Sequence, residues 1–169
     1  MSATVSAARA GLRDMPRLLA AWLAGSIVAY VLGSISQSVF VLRELSGVTE
    51  GIPLQVWVDV IVHDLLNLAF GGKFVWYGGN LLIAFAIAFA CAIVVARVLK
   101  MPLALVASVA GATALMTMLL IVNANFPSSI FAGTRGADGM LGQIIAGAIG
   151  GWVFSAIFAR RPGHSGEAA

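Results

Sequence analysis

Residues 18–42 read LLAAWLAGSIVAYVLGSISQSVFVL, with no Asp, Glu, Lys, Arg or His between Arg17 and Arg43. About 20 helical residues cross a hydrocarbon core of about 30 Å, so this stretch alone is long enough to span a bilayer. Three more uncharged runs follow: 74–96 between Lys73 and Arg97, 101–134, and 139–159 between Asp138 and Arg160. In the third the spanning part is read as 103–122, and in the fourth as 140–159. A bilayer accepts helices because each backbone group is then satisfied within its own segment. The runs are continuous and do not alternate as barrel strands do. The prediction is therefore all-α: an integral membrane four-helix bundle, with an amphipathic interfacial helix in the first outer loop.

The composition agrees. Hydrophobic residues make up 60% of the 169, charged residues only 10%, and mean hydropathy is +0.99. A soluble domain carries about 25% charged residues, and one this small cannot bury so much apolar surface. The chain reads as a single transmembrane domain over 18–159, flanked by cytoplasmic tails at 1–17 and 160–169. Its net charge of +3 does not indicate nucleic-acid binding, because the cations sit at the ends of apolar runs, where they set topology. The N-terminal tail carries Arg9, Arg13 and Arg17, the turn between spans two and three Arg97 and Lys100, and the C-terminal tail Arg160 and Arg161. The opposite loops hold only Arg43, Lys73 and Arg135. By the positive-inside rule both termini face the cytoplasm, and a multi-pass location in the plasma (inner) membrane is expected. Arginines before an apolar run also describe a signal peptide, but this run exceeds the usual apolar region and no A-x-A site closes it, so a retained first helix is expected. Trp76 and Tyr77 begin the second span at its outer edge and Trp22 lies near the inner edge of the first, positions that suit an interfacial aromatic belt; Trp152 lies deeper.

Between spans one and two, Ser46, Gly47, Gly51 and Pro53 break the chain. Residues 54–70 then read as a short helix closed by Gly71 and Gly72. Gln55, Asp59, His63 and Asn67 recur every four residues and make a polar arc beside an apolar surface, the pattern of a helix lying in the membrane–water interface. A plug or re-entrant placement is the alternative, and Asp59 and Asp64 argue against full spanning.

Small residues recur one turn apart in every span: Gly25, Ala29 and Gly33; Ala84, Ala88, Ala92 and Ala96; Ala104, Ser108 and Ala112; Gly142, Ala146 and Gly150, with Gly147 and Gly151 as a second row. Such rows let backbones approach closely, which replaces the hydrophobic drive that lipid removes. Gly147–Gly151 is a formal GxxxG, read as helix packing within the bundle in preference to a homodimer seam. Ser26, Tyr30, Ser34 and Gln37 form a polar stripe on span one, and Gln143 with Ser155 a weaker one on span four. Thr113 and Thr117 pair on span three. The bland reading is interhelical or i−4 carbonyl bonding; the functional one is a wet path for a small solute.

Asp59 and His63 stand one turn apart with Asp64 adjoining, an outer-face polar cluster that could bind a metal, move a proton or sense pH. One short helix does not complete a metal site, and the other histidine, His164, lies in the opposite compartment. The loop from Asn123 to Gly139 carries Asn125, Pro127, Ser128, Ser129, Gly133, Thr134, Arg135, Gly136 and Asp138. These residues suit turns better than an anion cradle, and no Walker or dinucleotide spacing is present. Cys91 stands alone, so no internal disulfide forms. No Asp, Glu, Lys, Arg or His falls inside a span, where proton-coupled carriers and most intramembrane catalysts place one.

The sequence thus assigns no catalytic residue, no metal ligand and no cofactor. It favours a non-catalytic accessory or interaction subunit, whose partners are the lipid bilayer and another membrane protein or a second copy. A passive channel or carrier for a small neutral solute is the alternative. An outer-face enzyme or pH sensor using Asp59, His63 and Asp64 is the weaker one.

Overall fold

The computed structural model describes residues 2–47, 53–70, 77–125 and 137–160. They form five helices, and no strand occurs among them: α1 (Ser2–Ser46), α2 (Leu54–Phe70), α3 (Tyr77–Leu99), α4 (Leu103–Asn125) and α5 (Ala137–Ala159). Met15–Ser46 of α1, and α3, α4 and α5 entire, are each long and apolar enough to cross a bilayer. The molecule is a helical bundle and a multi-pass membrane protein. The expected start of span two at 74–76, its preceding Gly71 and Gly72, the loop 126–136 and the tail 161–169 lie outside the described residues.

The helices outrun the predicted spans. Residues 2–17, expected as a tail, continue α1 through Pro16. α3 runs on to Leu99, α4 to Asn125, and α5 starts at Ala137. Charge marks the edge of the oil, whereas a helix stops at a cap. The end of α3 is such a cap. Lys100 takes a left-handed φ of 53°, and the Met101 N–H donates to the Ala96 carbonyl at 3.1 Å. This is a Schellman closure with lysine in the place usually given to glycine. Pro102 then opens α4, its carbonyl accepting from Leu105 and Val106 N–H at 3.1 and 3.3 Å.

α5 packs between α1 and α4, and α3 closes the ring against α4 and, more loosely, α1. Its two small-residue rows meet different neighbours. On one side Gly150 lies against Gly25 and Ala29, and Gly142 against Ser36; on the other Gly147 meets Gly111 and Gly151 meets Ala107. Both glycines of the GxxxG therefore face α4 within the same chain. Several bulky residues of α5 turn outward instead: Leu141, Ile145, Ile149 and Trp152 are exposed while Gly147, Gly150 and Gly151 are buried. That inversion of a soluble protein's layout is what a lipid exterior allows.

Small-residue spacing finds part of the contact face of α3, Ala92 and Ala96, and misses its aromatic members. Its buried row is Tyr77, Leu81, Phe85, Phe89, Ala92 and Ala96, and Ala84 and Ala88 are only half-buried. Its two phenylalanines form the core of the bundle away from α2. Phe89 stacks on Phe154 with centroids 4.2 Å apart, flanked by Phe85 at 4.9 Å from Phe89 and Phe158 at 5.7 Å from Phe154. Two predicted belt aromatics are also interior groups. Tyr77 is buried, and Trp22 is half-buried with its indole N–H donating to the Leu82 carbonyl of α3 at 3.3 Å.

Candidate functional site

Polar side chains gather at the end of the bundle that carries α2. α2 turns Trp57, Val60, Ile61, Asp64 and Leu65 toward its neighbours, an i, i+3, i+4, i+7, i+8 face, and packs on α1 and α3. Apart from Gln55 and Val56, the exposed remainder divides in two. Leu54, Val58, Val62 and Leu66 form an apolar flank, and Asp59, His63 and Asn67 a polar one. A helix split in this way fits the boundary between oil and water.

Two bonds fasten α2 to α1. The Ser38 hydroxyl donates to Asp64 Oδ2 at 2.8 Å, and the Tyr30 hydroxyl donates to the Leu65 carbonyl. Ser38 also lies 3.1 Å from the Ser34 carbonyl. His63 Nδ1 stands 3.8 Å from Asp64 Oδ1, and the Asn67 amide stands 2.8 Å from His63 Nε2. The predicted trio is thus rearranged. Asp64 points inward, His63 bonds along α2 to Asn67 and leans on Asp64, and Asp59 is exposed with no hydrogen bond or ion pair among the described residues. Nor do any three His, Cys, Asp or Glu side chains among the described residues converge as a metal site requires.

Beneath this layer Gln143 joins three helices. It is fully buried; its Nε2 donates to the Gly33 carbonyl of α1 at 2.8 Å, and its Oε1 accepts from the Tyr77 hydroxyl of α3 at 2.9 Å. Tyr77 in turn packs on Tyr30, ring centroids 5.9 Å apart. Gly33 leaves room for this pair, since a Cβ there would come within 2.7 Å of the Tyr77 oxygen and 2.8 Å of Gln143 Oε1 and would displace one of the two side chains. Of the stripe on α1, Ser26, Ser34 and Gln37 are buried, and Ser26 Oγ, Ser34 Oγ and Gln37 Oε1 make no hydrogen bond among the described residues. Thr113 bonds back to the Val109 and Ala110 carbonyls, and Ser155 to that of Trp152, both within their own helices.

Sequence reasoning reached Tyr30, Ser34, Gln143 and Asp64 but missed Ser38 and the role of Tyr77. Ser38 sits four residues after Ser34, so extending the stripe by one turn would have found it. Nothing local marks Tyr77, because an aromatic at a span edge looks the same whether it faces lipid or a neighbouring helix.

The layer predicts a measurable weakness. A hydrogen bond to a charged group is worth about 1.5–3 kcal/mol when buried, and less where half exposed. Asp64→Ala is expected to loosen α2 and leave the four-span core intact. Amide exchange should then rise about tenfold over Leu54–Phe70 and stay unchanged in α4 and α5. Uniform protection would mean that Asp64 does not fasten α2.

In comparison with known proteins, no family model, no curated protein and no solved structure matches the chain.

Proposed function

We propose that the protein is a non-catalytic interaction subunit of the inner membrane, with both termini cytoplasmic, and that it presents the outward face of α2 to another membrane protein. The distribution of polar groups carries this reading. Inside the bundle Gln143, Tyr77, Tyr30, Ser38 and Asp64 bind helix to helix, whereas Gln55, Asp59, His63 and Asn67 remain exposed along α2. The orientation is supported by cations gathered at the opposite end. Arg17 there bonds to the Ile157 carbonyl at 3.3 Å, close to Arg160, while Arg97 and Lys100 close α3. The membrane is inferred from the positive-inside rule.

A passive path for a small neutral solute is the second reading. It is favoured by the unpaired buried oxygens of Ser26, Ser34 and Gln37. One experiment separates the two. Purified protein reconstituted alone into liposomes is expected to leave glycerol and urea permeability at the level of protein-free vesicles. Swelling several-fold faster than empty vesicles, abolished by Gln37→Leu, would replace the interaction reading with the path.

A further inference from the structure

Asp64 is the acidic side chain of α2 that turns inward, and its charge lacks a full partner. Buried charges are normally paired or coordinate a metal. The Asp64 side chain is only 30% exposed, and its Oδ2 accepts from Ser38 at 2.8 Å. No Lys or Arg among the described residues forms an ion pair with it. His63 Nδ1 stands off at 3.8 Å from Oδ1.

Free oxygens gather behind this carboxylate. Tyr30, Ser34 and Ser38 succeed one another at four-residue spacing on α1 and share a face. The first bonds to α2 at Leu65 and the third at Asp64, so Ser34, between them, faces the same stretch of α2. The Ser34 hydroxyl and the Asp64 carboxylate both lie close enough to the Tyr30 hydroxyl to act on it. Gln37, three residues beyond Ser34, borders this face on the side of Gly33. Ser34 is 1% exposed and Gln37 9%. Ser34 Oγ and Gln37 Oε1 make no hydrogen bond among the described residues.

The set is chemically narrow. It offers oxygen alone, from one carboxylate, two hydroxyls and one amide carbonyl, and oxygen ligands suit hard cations. Zinc and its neighbours favour imidazole and thiolate, and no three His, Cys, Asp or Glu converge among the described residues. One carboxylate balances one positive charge, so a monovalent ion matches the site better than Ca²⁺ or Mg²⁺. A water molecule would satisfy the two free oxygens and leave the charge uncompensated.

We infer that the α1–α2 junction is a site for one alkali-metal cation, sodium, held between the Asp64 carboxylate, the Ser34 and Ser38 hydroxyl oxygens and Gln37 Oε1. The partly exposed Asp64 gives the ion its route from water, and the buried serines close the site behind it. Occupancy fastens α2 to α1. The assignment holds whether or not α2 meets a partner.

The test is amide exchange of the detergent-solubilised protein in sodium chloride and in choline chloride at equal ionic strength, choline being too large to enter. An ion that binds only the docked state slows opening by a factor of 1 + [L]/Kd, so about 150 mM sodium at a Kd of about 40 mM is expected to slow exchange over Leu54–Phe70 about fivefold relative to choline. Asp64→Asn keeps an acceptor for Ser38 but removes the charge, and should lose the sodium response. Ser34→Ala and Gln37→Leu should each cut it below about twofold. Ser26→Ala, whose unpaired oxygen lies about two turns before Ser34, and His63→Ala should keep it in full. Unchanged protection of α4 and α5 shows that each variant folds, and two independent neutral positions keep one misfolded variant from deciding the matter. Equal exchange of the wild type in both salts overturns the proposal and gives the free oxygens to water. A response that survives in Asp64→Asn, or that disappears in His63→Ala, also overturns it.

Discussion

Gly151→Ala, the addition of one methyl group, is expected to destabilise the bundle by about 3 kcal/mol, the upper range for overpacking. The new Cβ would lie 2.0 Å from the Ala107 carbonyl oxygen, 2.5 Å from its carbon and 2.9 Å from Ser108 Cα. Carbon and oxygen atoms normally approach to about 3.3 Å at closest. All three obstructing atoms are backbone, so no rotamer relieves the contact and α4 must move away by more than an ångström. That shift also opens the neighbouring contact, where a Cβ on Gly111 would meet the Gly147 carbonyl oxygen at 2.2 Å. Helices in lipid associate chiefly through such close packing, so the separation forfeits dispersion contacts along the whole α4–α5 seam. Gly111→Ala should therefore behave alike. Gly47→Ala, in the turn after α1, is the control: its Cβ would meet nothing closer than 3.4 Å, and a change within about 0.5 kcal/mol is expected for such a surface site. Unfolding by sodium dodecyl sulfate titration in mixed micelles reads the series. A Gly151→Ala midpoint equal to that of the Gly47→Ala control would show that α4 and α5 do not touch as described.

The glycines also show where sequence reasoning holds and where it ends. Four spans follow from charge alone, because ionic groups and oil exclude each other whatever the helices touch. The two rows of α5 were legible because glycine at four-residue spacing is rare except where backbones meet. Their neighbours were not. On α4 spacing points to the row Ala104, Ser108, Ala112, yet the neighbouring Ala107 and Gly111 are buried and Ala104 is exposed. In an apolar helix every face is hydrophobic, so periodicity no longer tells inside from outside. The same ambiguity hid part of the α3 contact face, where Ala84 and Ala88 are only half-buried and the phenylalanines fill the core. On α2 the pattern worked better, because water supplied a contrast. It gave the polar arc correctly but could not foresee that Asp64, at its edge, turns toward Ser38.

Gln143→Leu is the second substitution with a large expected effect, about 2 kcal/mol. Leucine nearly matches the volume and removes both interhelical bonds, to the Gly33 carbonyl and from the Tyr77 hydroxyl. Such bonds are worth about 0.6–2 kcal/mol each in membrane proteins. Tyr77→Phe removes one of them and should cost about 1 kcal/mol. The two losses share a bond, so the double variant should be more stable than their sum by about 1 kcal/mol. That coupling separates a glutamine that binds α3 from one that merely fills space, for which the costs would add. Gln143→Glu keeps the acceptor but places a carboxyl group beside the Gly33 carbonyl, where the ionised form is repelled and the buried charge adds a desolvation cost, smaller than the about 2.5–3.5 kcal/mol of the bilayer centre because Gln143 lies in the second turn of α5. Stability in the order wild type, Tyr77→Phe, Gln143→Leu, Gln143→Glu is therefore expected from the same micellar unfolding assay. Additive losses would mean that the Tyr77 hydroxyl does not bond to Gln143, and that α3 is held to α5 there by packing alone.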